Sequence, residues 1–109
     1  MFEGYWENNL ANGKGCGYDK KGRKRYKSMW KDGMCDGIGV EFNKNDSIKY
    51  IGMYSGGYRD GEGSLYRSNG ERCSKGIWKG NYLIHPNNEK IDEKMNKLEL
   101  KIKLVFDIA

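Results

Sequence analysis

The 109-residue chain has one proline, one histidine, three cysteines and no long apolar run. No stretch approaches the ~20 apolar residues that a membrane-spanning helix needs. Its start, Met1-Phe2-Glu3-Gly4-Tyr5-Trp6-Glu7, has neither the basic region nor the apolar segment of a signal peptide, so a cytoplasmic protein, at most peripheral at membranes, is expected. Cys16, Cys35 and Cys73 show no Cys-x-x-Cys spacing, and an odd set leaves one thiol outside any disulfide. Free thiols in a reducing compartment follow. His85 has no partner that spacing identifies, and the carboxylates scatter over turns, so no catalytic pair, metal set or cofactor site is expected. Apolar residues are also scarce, at 37%, yet the chain holds 3 Trp, 8 Tyr, 3 Phe and 16 Gly. Disordered chains are poor in aromatics, and each glycine inside a helix costs about 1 kcal/mol. A thin, all-β protein fits this composition.

What the chain does have is a repeat of period 24, with units starting at Phe2, Tyr26, Tyr50 and Ser74. Two residues on stand Gly4, Ser28, Gly52 and Gly76; four on stand Trp6, Trp30, Tyr54 and Trp78. Seven on stand Asn9, Gly33, Gly57 and Asn81, all tolerant of positive φ. The pairs Gly13/Gly15, Gly37/Gly39 and Gly61/Gly63 recur in the same register. Tyr-x-Gly-x-Trp alternates with the strand period of two, turn residues follow, and Gly-x-Gly opens a second strand. Each unit reads as a β-hairpin, and successive hairpins pair into one curved antiparallel meander. The +4 rings are expected to lie across the bare Gly-x-Gly backbone, burying about 150–250 Å² each.

The motif resembles the MORN (membrane occupation and recognition nexus) repeat, Tyr-x-Gly-x-Trp-x-x-Gly-x-x-x-Gly-x-Gly. Tyr50-Ile51-Gly52-Met53-Tyr54-Ser55-Gly56-Gly57, followed by Gly61-Glu62-Gly63, matches it at almost every place. Phe2, Asn9, Ser28 and Ser74 depart from it, and the fourth unit lacks Gly-x-Gly. The resemblance spans residues 2–83 and implies an array over 1–84 followed by a separate tail, 85–109. It also implies a non-catalytic role in protein scaffolding or at acidic phospholipids.

Candidate contact residues are of two kinds. Trp6, Trp30, Tyr54 and Trp78 form a ladder that is chiefly the core of a one-layer fold, although its inner edge could hold a peptide, a lipid or stacked bases. Tyr5, outside the repeat pattern, and the turn residues Tyr58 and Tyr82 are better placed for contact. The second kind is basic. The net charge is +5, and the excess lies within residues 1–84, where 15 basic groups face 10 acidic ones. Lys20, Lys21, Arg23, Lys24, Arg25 and Lys27 crowd the turn between units one and two, whereas Lys44 and Lys49 flank the next junction with Asp46 between them. The cluster reads as local to one junction: a solvated turn, or an anion site for phosphoinositide, nucleic-acid backbone or an acidic protein.

The expected function is therefore a small binding or scaffold protein with a protein partner. Alternatives are a peripheral adaptor on acidic phospholipid and a free-standing inhibitor of a larger nucleic-acid enzyme. The tail adds a homodimer contact, through itself or a sheet edge, as a further option. Residues 89–97 look helical, but Leu98, Leu100, Ile102, Leu104, Phe106 and Ile108 alternate like a strand. A helical stripe through Ile91, Met95, Leu98, Ile102 and Val105 competes with it, and the strand is preferred.

Overall fold

The computed structural model describes residues 1–108. Among them eight strands form one open antiparallel sheet in chain order, 42 × 27 × 24 Å overall. They are β1 (Phe2–Glu7), β2 (Leu10–Tyr18), β3 (Lys24–Lys31), β4 (Met34–Phe42), β5 (Ile48–Ser55), β6 (Tyr58–Tyr66), β7 (Arg72–Lys79) and β8 (Tyr82–Pro86). Each repeat unit is one hairpin, and each tip is a two-residue turn such as Asp32–Gly33, whose φ values of 49° and 84° suit a left-handed pair.

Register explains the glycines. Gly4 pairs with Gly15, Gly15 with Ser28, Ser28 with Gly39, Gly39 with Gly52, Gly52 with Gly63, and Gly63 with Gly76. A nearly bare line thus crosses seven strands, interrupted only by the fully buried Ser28. The ring that lies over it is not the +4 ring but the first residue of the unit. Phe2 covers Gly15 and Tyr50 covers Gly63; in unit two the Ser28 side chain covers Gly39 instead. The other glycine of each pair sits opposite a bulge. Tyr5, Met29 and Met53 lie in that bulge and rest against Gly13, Gly37 and Gly61, whose φ values are 88°, 100° and 100°. Tyr5 therefore follows the repeat after all, at the position of Met29 and Met53.

The sheet has two packed faces. One carries the rings Tyr26, Trp30, Tyr50, Tyr54 and Trp78 around Cys35. The other carries Val40, Phe42 and Ile51 and is covered by the helix α1 (Glu89–Val105). The tail is thus helical through residues 98–105, and the strand preferred from the alternation is not formed. A strand added at an edge would leave Val40, Phe42 and Ile51 wet, whereas one helix stripe buries them. Ile102 and, just past the helix, Phe106 pack on them with Leu98 and Val105 beside, while Leu100 and Leu104 stay 65% and 79% exposed. Leu, Lys, Glu and Met also favour helix. The Asn88 side chain caps the N-terminus by accepting from the Ile91 amide at 3.0 Å.

Polar contacts pin the helix. Buried Lys75 donates to Asp92 at 2.6 Å and to Asn96 at 3.1 Å, and the Tyr66 hydroxyl donates to Glu99 at 3.1 Å. The Lys75 ammonium holds the Asp92 carboxyl below its usual range.

Candidate functional site

The turn between β2 and β3 is built by Asp19. Its carboxylate accepts from the backbone amides of Lys21 (2.9 Å) and Arg23 (3.0 Å) and from Arg23 Nε (2.9 Å). The Arg23 backbone hydrogen bond is the chief reason its pKa falls. The next junction, between β4 and β5, is closed by a backbone bond from Asn43 to Ser47. It is tied onward to the third junction, because Asn45 Nδ2 donates to the Ser68 carbonyl at 2.8 Å.

Between the first two junctions lies an open cleft of about 510 Å³, lined by Arg23, Lys24, Arg25, Lys44, Lys49 and the Phe42 ring, among others. Lys24 Nζ lies 4.7 Å from the centroid of Phe42, so the apolar floor itself holds a cation. The Arg25 guanidinium lies 5.7 Å from the Tyr26 ring. Among the described residues, Lys20, Lys21, Lys24, Arg25 and Lys44 form no ion pair. Arg23 is held by Asp19, and Lys49 lies 3.6 Å from Glu41. Lys27 leaves the set, because its ammonium donates at 3.4 Å to the Phe106 carbonyl at the end of α1.

The cluster is therefore not local to one junction. The 24-residue period places Lys20 and Lys44 at the same offset in consecutive units, and that offset was the signal available in the sequence. Residues so related stand on neighbouring turns of one sheet edge.

The ladder on the opposite face is a chain of edge-to-face rings. Trp6 meets Phe2 at 5.0 Å, Phe2 meets Trp30 at 5.1 Å, Tyr26 meets Tyr54 at 6.4 Å, and Tyr50 meets Trp78 at 5.7 Å. Trp30 and Trp78 donate their indole N–H to the carbonyls of Gly15 (3.0 Å) and Gly63 (2.9 Å), so both are anchored. Arg59 bridges this face, bonding Glu41 at 3.0 Å and lying 5.2 Å from the Tyr50 ring. Tyr54 and Trp78 are buried, whereas Trp6 at the open end is 57% exposed. The ladder is chiefly core.

Tyr5, Tyr58 and Tyr82 are exposed but do not join the basic cleft; Tyr58 and Tyr82 stand at the hairpin tips on the other edge. His85 lies on the edge strand β8 opposite Ile77. Cys35 is buried, which pushes its thiol up to about 11, well away from a thiolate nucleophile. Among the described residues no group of three or more His, Cys, Asp or Glu is placed to hold a metal, and no helix is long and apolar enough to cross a membrane.

A family model described as MORN repeat matches residues 2–16, 26–47 and 50–72. A search of curated proteins found no match.

Proposed function

The chain belongs to the MORN repeat family, and on that premise we propose that it is a non-catalytic scaffold that docks an acidic segment of a partner protein in the basic cleft. MORN repeats are in general binding and scaffold motifs that engage proteins or membrane lipids. The observation that carries the finer reading is the cleft itself. Lys24, Arg25 and Lys44 line it from two junctions, Lys24 lies on the Phe42 ring, and the carboxylate in its wall, Asp19, is held by Arg23. A protruding acidic side chain can enter such a recess and pair with several cations at once. A planar bilayer surface meets mainly the turn cations Lys20 and Lys21, which do not line the cleft.

The test changes Lys20, Lys21, Lys24, Arg25 and Lys44 together to Gln. A Glu/Asp-rich peptide is titrated into both proteins at rising salt, alongside sedimentation with phosphatidylserine vesicles. The expected result is peptide binding that weakens with salt and is lost in the variant, while its thermal melt is unchanged. Vesicle binding without peptide binding transfers the cleft to the membrane reading. Peptide binding that survives both salt and substitution removes the cleft from the site.

A further inference from the structure

Eight residues after each repeat start stand Leu10, Met34, Tyr58 and Tyr82. Each opens the strand that follows a hairpin tip. They are 45%, 48%, 56% and 76% exposed. One exposed leucine carries no meaning, because much of any protein surface is apolar. Four large apolar side chains at one repeat offset are a different matter: they form a row along the sheet edge opposite the basic cleft.

The row is rigidly spaced. The amides of Gly33, Gly57 and Asn81 donate to the carbonyls of Ala11, Cys35 and Arg59 at 2.9, 2.9 and 3.1 Å, so each tip is bonded to the one before it. Leu10 and Met34 lean along the edge, within 3.7 and 3.8 Å of the Cβ positions of Gly33 and Gly57 at the next tip. The side chains thus lie tip to tip.

We infer that this edge is a docking surface for an amphipathic α-helix of a partner protein, with apolar residues recurring every seventh position and basic residues beside them. The row repeats every second strand, or about 9.6 Å. Seven residues of α-helix advance about 10.5 Å. The step lies within about 1 Å of a heptad stripe. From Leu10 to Tyr82 the row covers three steps, about 29 Å, which is the length of a helix of about 20 residues. An extended partner strand repeats one face every 6.8 Å or so and falls out of step. A polyproline helix, at about 9.3 Å per turn, keeps step. It docks on aromatic faces, however, and only half of the row, Tyr58 and Tyr82, provides them.

Charge selects the flanks of the partner stripe. Beside the row stand Glu7, Asp32 and Asp60 against Lys31 and Lys79, because Arg59 is turned to Glu41 and Asp36 accepts from the Gly56 amide at 3.1 Å. A helix with Lys or Arg next to its apolar stripe complements that balance. The two edges of the sheet thus select partners of opposite charge, which goes beyond the cleft reading and does not depend on it.

A designed peptide with leucine at the first and fourth positions of each heptad and lysine beside them is the probe, titrated into the full chain and followed by fluorescence anisotropy. Met34→Lys and Tyr58→Lys should each weaken binding roughly tenfold or more, with thermal melts unchanged because both sites are exposed. Substituting Gln for the cleft lysines Lys24 and Lys44 should leave this binding intact, which separates the result from the cleft reading. Absence of binding overturns the inference, and so does binding indifferent to both row variants. Tighter binding of a peptide with proline at every third residue replaces the helix with a polyproline partner. Loss of phosphatidylserine-vesicle binding in the row variants, without an effect on the peptide, assigns the row to a membrane and also overturns it.

Discussion

Gly63→Ala should be among the most damaging single-methyl changes in the sheet. Gly63 lies outside the left-handed region, so an added Cβ meets no backbone objection of its own. It does meet Tyr50. The Cβ position lies within 2.5 Å of three atoms of that ring. The ring cannot slide aside, because Tyr50 is fully buried, its hydroxyl donates to the Met53 carbonyl at 3.0 Å, and Tyr54 and Trp78 meet it at 5.2 and 5.7 Å. Expelling a ring that buries about 150–250 Å² loses about 4–6 kcal/mol at 25 cal/mol per Å². Backbone relaxation and partial re-burial return some of that, leaving a net cost of about 3 kcal/mol. The control is Gly70→Ala, where no heavy atom lies within 4 Å of the added methyl but φ is 89°. It should cost only about 1 kcal/mol. Urea unfolding followed by tryptophan fluorescence measures both. Pairing Gly63→Ala with Tyr50→Leu should recover about 1 kcal/mol relative to additivity, because the second change removes the clash. If Gly63→Ala proves no worse than Gly70→Ala, the ring does not lie on the glycine and the packing argument fails.

Two further outcomes follow from the helix and the tyrosines. Burial, with Glu99 adding to it, pushes Tyr66 up to about 12, and burial raises Tyr50 and Tyr54 as well. The folded values exceed the unfolded value of 10.0, so this contribution is complete below pH 10 and is lost as pH rises toward and through 12. Urea midpoints should therefore fall steeply above about pH 10, and Tyr66→Phe should flatten that fall. Ending the chain after Asn88 uncovers Val40, Phe42 and Ile51 and leaves buried Lys75 without Asp92. Thermal melting and light scattering should show a destabilised, self-associating sheet, and an unchanged melt and mass would refute the role given to α1.

The period of 24 residues, the hairpin in each unit and the single meander were legible in the sequence, because strand alternation and turn chemistry act over a few residues. So were the rings as core, although they fill only one of two packed faces. The pairing of +2 with +13 glycines across seven strands was not, since register is a property of two strands together. That pairing decides that Phe2 and Tyr50, rather than Trp6 and Tyr54, press on the bare backbone. The tail's helix escapes the sequence for a related reason. Leu98 to Ile108 satisfies both periods, and only the exposed face of Val40, Phe42 and Ile51 selects the helix. The basic residues of the first junction could be counted in the chain. Their meeting with Lys44 and Lys49 around Phe42, and the departure of Lys27 to the end of α1, could not. Composition and periodicity constrain what each segment can be locally; which side chains become neighbours depends on distances set by the folded sheet.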